Sequence, residues 1–274
     1  MSREENLRIW EDTKFSFEHN YELVGATEKA CKYTQVIPEG KDLGFDLSTF
    51  PEKEGKLILE RNSTFNAGRR LSSQRTAVLN FASATNPGGG VTKGATAQEE
   101  CLCRCSNLYP VLDTERCWNE FYQPHRDNLN ALHNDDIIWT PEIAVFKSDD
   151  YKAIDITYLD VITCAAPNLR EKNVNVFNID RTLETKIDNN QLHSIHYKRA
   201  CRIFEVALKK GVENIVVGAF GCGAFKNDPE TVAKAWYNAA KVYLSKFNTI
   251  DFAIYDSPRS NNYQIFRQFF DKNS

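Results

Sequence analysis

An apolar run, Thr76-Ala77-Val78-Leu79-Asn80-Phe81-Ala82, leads into Asn86-Pro87-Gly88-Gly89-Gly90, and after seven more residues Gln98-Glu99-Glu100 opens a helical stretch. This order constrains the fold more than any other part of the chain. The apolar run reads as a buried strand of a sheet covered on both faces. Three adjacent glycines have no side chain to bury. What they offer is φ > 0 and a main chain that a ligand can approach closely. Such a loop, between a strand and a helix with two acids in its first turn, suggests a polyanion held beside a working carboxyl group.

The rest of the chain repeats the alternation. Strands are expected at Lys56–Glu60, Ile137–Trp139, Ile143–Phe146, Tyr158–Ala166, Asn214–Gly218 and Phe252–Tyr255, with Pro141 splitting the second from the third. Helices are expected at Leu7–Phe17, Thr27–Lys32, Ser63–Leu71, Ala97–Asn107, Leu192–Lys210, Pro229–Phe247 and Asn261–Phe270. Pro110 is expected to block the Ala97–Asn107 helix, and Gly211 to close the Leu192–Lys210 helix as a C′ residue. Strands alternating with helices predict a three-layer α/β/α sandwich. Residues 1–50 read as a helical N-terminal extension packed on the body, and residues 51–274 as the main domain.

A second glycine loop follows the Asn214–Gly218 strand: Gly218-Ala219-Phe220-Gly221-Cys222-Gly223-Ala224-Phe225. Asp228 is a strong N-cap and Pro229 suits the first helical position. The glycine spacing is wrong for a dinucleotide fingerprint. Ligands of such sheets sit beyond the carboxyl ends of the strands. Two glycine loops on that rim suggest a diphosphate gripped from both sides.

Composition narrows the partners. A net charge of −3 argues against a broad duplex-binding surface, whereas backbone amides suffice for a small polyanion. No apolar run is long enough to span a membrane, and the start, Met1–Asn6, is charged, so no signal peptide is read there. The 8 cysteines are expected to be reduced thiols in a cytosolic, or in a eukaryote nuclear, protein. No membrane partner and no sequence-specific nucleic acid is expected, and oligomeric state stays open.

Glutamates are common in first helical turns because they favour the macrodipole, but here the pair adjoins the triple glycine. Adjacent helical residues point about 100° apart. The two acids therefore cannot flank one bond as a glycosidase pair does. One should be the acid, the other a substrate positioner.

Asn-Pro-Gly-Gly-Gly, seven residues and Gln-Glu-Glu together resemble the signature of poly(ADP-ribose) glycohydrolases. The flanking Val78–Ala84 and the later Gly218–Asp228 segment are similar to the microbial-type branch, and the likeness runs in order over about residues 55 to 270. The resemblance implies a macrodomain, a mixed sheet between helices that binds ADP-ribose, and hydrolysis of the ribose–ribose O-glycosidic bond. It implies Glu100 as the catalytic acid and Glu99 as the residue on the ribose hydroxyls. It places Gly88, Gly89 and Gly90 along the diphosphate and distal ribose, with Gln98 in the same signature. Gly221, Cys222, Gly223 and Ala224 become the second diphosphate loop, and Phe225 the aromatic residue against the terminal ribose. Asn80 or Asn86 would bond the distal ribose, and Asn86 is preferred because it adjoins the loop. ADP-ribose, free or as polymer on modified proteins, is the implied partner; no metal or other cofactor is required.

Other features carry less. Cys101, Cys103 and Cys105 lack zinc-finger spacing and read as packed thiols. Cys222 has no motif that supplies a histidine base. His125, His133, His193 and His196 form no metal or triad pattern. Lys198-Arg199 and Lys209-Lys210 read as solvated helix faces, Trp118, Phe121 and Tyr122 as core aromatics, and Asp160 has no evident role. Two rival functions stand: a mono-ADP-ribosyl hydrolase acting on protein or nucleic acid, and a non-catalytic ADP-ribose-binding module. The acid pair disfavours the second.

Overall fold

The computed structural model describes residues 1–171, 185–256 and 260–273. A seven-stranded sheet runs through it in the order β1-β4-β5-β3-β6-β7-β2. The strands are β1 (Gln35–Ile37), β2 (Lys56–Glu60), β3 (Thr76–Phe81), β4 (Ile137–Lys147), β5 (Ala153–Cys164), β6 (Asn214–Val217) and β7 (Thr249–Ala253). From β5 across to β2 all pairs are parallel, while β1–β4 and β4–β5 are antiparallel, so the sheet is mixed.

Helices cover both faces, as the alternation requires. Along β3 and β6, Ala77, Leu79, Ile215 and Val217 face one core with Phe204, Val232, Trp236 and Phe266. Their neighbours Val78 and Val216 face the other, with Trp10, Leu23, Phe65, Leu102 and Phe121. The first core is roofed by α8 (Asn189–Lys209), α9 (Pro229–Tyr243) and α10 (Asn262–Asn273). Over the second lie α1 (Arg3–His19), α2 (Tyr21–Tyr33), α3 (Thr64–Leu71), α4 (Gln98–Cys105), α5 (Leu108–Leu112), α6 (Glu115–Cys117) and α7 (Gln123–Asn128). A π-helical turn, Trp118–Tyr122, joins α6 to α7. The three-layer α/β/α architecture expected from the alternation is therefore the one found.

Local chemistry explains the ends. Ser2 and Glu5 form a capping box on α1, and Asn20 receives the amides of Glu22 and Leu23 to start α2. Asp228 accepts from the Thr231 amide, with Pro229 at the first helical position of α9. Gly211, at φ 74°, lets the chain turn out of α8.

Several boundaries differ from expectation. Pro141 does not split two strands; β4 runs through it with a bulge between Thr140 and Ile143. A bulge needs no donor from the proline, so the pairing resumes beyond it. Asp160 stabilises the detour by accepting from the Glu142 amide at 2.9 Å and from Arg75 Nε at 2.7 Å, which is its role. The helix after the glycine loop stops at Ser106, because Asn107 turns to pair with Ala144 of β4. Pro110 sits inside α5, in a first turn that asks for no helical donor. Residues 35–37 join the sheet as an edge strand, so the first fifty residues supply sheet as well as helix.

Candidate active site

The two glycine loops leave the carboxyl ends of adjacent parallel strands, β3 and β6, and the rings of Phe81 and Phe220 meet between them with centroids 5.6 Å apart. Gln98 then ties α4 to the end of β3. Its Oε1 accepts from the Phe81 amide at 2.8 Å, and its Nε2 donates to Leu79 O at 2.8 Å and Thr64 Oγ1 at 3.0 Å. These bonds engage its amide with protein, so that Gln98 positions the next two residues.

Those residues are buried carboxyls, Glu99 2% and Glu100 7% exposed. Glu99 Oε2 accepts from the Ser83 amide at 2.8 Å, and Oε1 accepts from Asn80 Nδ2 at 3.2 Å. Asn80 also donates to Thr163 Oγ1 on β5. Glu100 Oε1 accepts from the Gly90 amide at 2.8 Å, while Oε2 is buried with no hydrogen-bond partner among the described residues. Burial, and then the charge of Glu100, push the Glu99 carboxyl well above its ordinary value. Burial raises Glu100 too, against the Gly90 amide and the charge of Arg104. The pair therefore keeps a proton more readily than exposed acids do. Although their backbones diverge, both side chains converge on one glycine. A Cβ on Gly89 would lie 2.5 Å from Glu100 Oε1 and 3.1 Å from Glu99 Oε2.

This answers why the first two of the three are glycines. Gly88 and Gly89 both have positive φ, 62° and 59°, and a Cβ on Gly88 would strike Tyr109 at 2.7 Å. Close approach by the protein's own carboxyls and aromatic ring is a packing reason that the run alone does not reveal. The first turn of α1 braces the far side: Arg3 Nε donates to Lys93 O at 2.9 Å and Asn6 Nδ2 to Gly94 O at 3.2 Å.

In the second loop, Gly221 has φ 79° and packs on Ala166 and Asn227, whereas a Cβ on Gly223 would meet nothing within 4 Å. Gly223 and Ala224 are exposed on the rim, and Phe225 is half-buried. Asn227 shapes the loop from below, donating to Pro167 O at 2.7 Å and Gly221 O at 3.1 Å. Its Oδ1 accepts from His196 Nε2 at 2.8 Å, and His196 Nδ1 accepts from Trp236 Nε1 at 3.2 Å. Burial lowers the His196 pKa to about 3, so the ring is a neutral brace. Phe225 stands between the Arg170 guanidinium at 5.4 Å and the His133 ring at 6.2 Å. Burial and Asp228 hold the Cys222 thiol protonated, which removes it as a nucleophile.

Asn86, the asparagine that adjoins the triplet, has its Oδ1 taken by Arg126 Nη2 at 2.8 Å, with Nδ2 on Thr85 Oγ1 at 3.1 Å. The asparagine at the acid pair is Asn80. An amide inside an apolar strand must find a polar partner, and that is the signal the sequence offers. Cys101, Cys103 and Cys105 do not converge. Cys101 receives Tyr151 Oη, Cys105 donates to Ser148 O, and Cys103 is buried. Among the described residues no group of three or more His, Cys, Asp or Glu side chains is placed to hold a metal ion.

A family model described as the microbial-type PARG catalytic domain matches residues 4–148, which include the glycine triplet and both acids. The chain belongs to this family. It is similar over 97% of its length, at 27% identity and TM-score 0.80, to the whole of the Thermomonospora curvata poly(ADP-ribose) glycohydrolase solved with the inhibitor ADP-HPD. Over 90% of its length it is similar, at 29% identity and TM-score 0.77, to 98% of the Deinococcus radiodurans poly(ADP-ribose) glycohydrolase in complex with ADP-ribose. A search of curated protein sequences returned no match. No helix among the described residues is long and apolar enough to cross a membrane.

Proposed function

We propose that this chain is a poly(ADP-ribose) glycohydrolase that cleaves the ribose–ribose O-glycosidic bond and releases ADP-ribose, with Glu100 as acid and then base. One observation carries the assignment of the acid. Glu100 is a buried carboxyl with a raised pKa, held at Oε1 by the Gly90 amide beside the glycine triplet, with Oε2 buried and without a hydrogen-bond partner among the described residues. In this reading the Glu100 proton passes to the leaving 2′ oxygen as the bond to the anomeric carbon breaks. The carboxylate left behind takes a proton from water as that water attacks the same carbon. Glu99, fixed by Ser83 and Asn80, orients the ribose hydroxyls. Gly88, Gly89 and Gly90 on one side, and Gly221, Cys222, Gly223 and Ala224 on the other, line the diphosphate. Phe225 sets the terminal ribose. No step calls on a metal.

The domain division follows the same reading: residues 51–274 form a macrodomain-like catalytic body, and residues 1–50 an extension that adds a strand and braces the glycine loop. The eight free cysteines favour a reducing, cytoplasmic setting. Release of ADP-ribose from labelled polymer, with chelator present, tests the activity. Comparison with singly modified protein separates it from a mono-ADP-ribosyl hydrolase. ADP-ribose binding without any release would leave only a binding module.

A further inference from the structure

Arg104 is fully buried on α4, yet among the described residues no carboxylate bonds its guanidinium. Nη1 donates to Ala95 O at 2.7 Å, Nε to Tyr151 Oη at 3.3 Å and Nη2 to Cys101 Sγ at 3.6 Å. A buried charge is costly without an opposite charge, and here it is not supplied by any of these groups. The acid that shares its helical face is Glu100, one turn earlier. Ala95 lies in the short link between the glycine loop and α4, so the same guanidinium grips the backbone that carries Glu100 to Gly90.

We propose that Arg104 is a positioning residue for Glu100, a fixed buried cation that stabilises the carboxylate formed after proton donation and anchors the link between glycine loop and acid. The proposal rests on the catalytic reading of Glu100. Burial favours the neutral acid at Glu100, and the cation opposes it together with the Gly90 amide and the other backbone amides of the helix start. The other titratable groups around this part of α4 include Glu99, Cys101, Cys103 and Cys105 on the helix itself, Tyr109 from α5, Tyr122 from the π turn, Asp149 and Tyr151 from the β4–β5 turn, and Lys147 from β4 with its partner Asp12 from α1. The positive charge felt by the Glu100 carboxyl comes from Arg104.

The test compares Arg104→Gln, whose amide still reaches toward the Ala95 carbonyl but carries no charge, with Arg104→Lys, which keeps the charge and loses the fork. The readouts are the pH profile of kcat on polymer and a side-chain NMR titration of Glu100. Removal of the cation strengthens the hold of Glu100 on its proton. The limb governed by Glu100 should therefore move to higher pH by on the order of one pH unit in Arg104→Gln, and return close to wild type in Arg104→Lys. A uniformly lower kcat with an unmoved profile overturns the proposal. So do equal displacements in both variants, and so does failure of both to fold. If the wild type does not cleave polymer, the catalytic reading fails, while the NMR titration still decides whether Arg104 acts on Glu100.

Discussion

Replacing Glu100 by Gln removes one ionisable proton and almost nothing else. The amide oxygen can still accept from the Gly90 N–H, which sits 2.8 Å from Oε1, and the side-chain volume is conserved. The variant should bind ADP-ribose with a Kd close to wild type. It has no proton to give to a leaving oxygen and no carboxylate to receive one from water. General acid–base catalysis contributes about 10²- to 10⁴-fold, so kcat should fall at least about 100-fold, or roughly 2.7 kcal/mol of barrier. Stability should move the opposite way. Burial raises the folded pKa of Glu100 above its ordinary 4.5. A group with a raised folded pKa gives its full contribution below the unfolded value and loses it as pH rises through the folded value. Above that range wild type has either an ionised carboxylate in a buried site or a proton taken up against the solution pH. A tenfold difference in proton affinity between folded and unfolded chains corresponds to about 1.4 kcal/mol. Gln escapes this and also relieves the Glu99 carboxyl of a charged neighbour. The variant should therefore be more stable than wild type at pH 8, with a higher Tm. The gain should vanish at pH values well below 4.5, where the carboxyl is protonated in both folded and unfolded chains. Calorimetry at several pH values, paired with ADP-ribose release, checks both halves. Turnover within about tenfold of wild type, or a Tm difference indifferent to pH, would refute the reasoning.

Gly89→Ala should cost activity out of proportion to stability. A left-handed φ of 59° strains any Cβ by about 1–2 kcal/mol, and the new methyl would stand 2.5 Å from Glu100 Oε1, so the carboxyls must move. A misplacement of about 1 Å can cost about 100-fold in rate, and ADP-ribose release should show a loss of that size in a chain that still folds; normal turnover would mean the loop has room to spare. Asp251 on β7 is fully buried, 2.6 Å from Arg70 Nη2, and burial with the charge of Glu60 lifts its pKa to about 7. Its contribution is complete below the ordinary 3.8 and fades as pH climbs through about 7. The Tm of Asp251→Asn relative to wild type should therefore improve from about pH 5 to about pH 8; a flat difference in thermal melts over that range would show that Asp251 stays ionised throughout.

How far the residues announced the structure depends on how local the determining chemistry is. The alternation of strands and helices, the N-cap at Asp228 and the C′ glycine at 211 rest on neighbours in sequence, and the fold has them where expected. What escaped was set at a distance. Pro141 looks like a strand breaker until Asp160, on the next strand, accepts from the Glu142 amide and makes the bulge tolerable. The bonds by which Gln98 ties α4 to β3 and Thr64 join residues far apart in sequence. Asn80 and Asn86 are equally plausible as residue types, and only the register of β3 against β5, which sets Asn80 opposite Thr163, brings Asn80 to Glu99.

The glycine triplet shows why the motif and the acid pair belong to one physical device. Two neighbouring carboxyls can be buried together only if donors solvate them in place of water. Side chains on the loop would keep those donors away. Without a Cβ at Gly89, Glu100 reaches the Gly90 amide at 2.8 Å, while the Ser83 amide, ahead of the triplet, serves Glu99 at the same distance. The same absence of Cβ atoms leaves the main chain bare for a diphosphate. The donors make burial of the two acids tolerable. A loop made only to bind a diphosphate would not need Gly89 pressed against two acids. A helix end made only to place glutamates near its dipole would not need them 2% and 7% exposed. The two requirements meet at Gly89, and this is why the catalytic reading accounts for the triplet better than a binding module does.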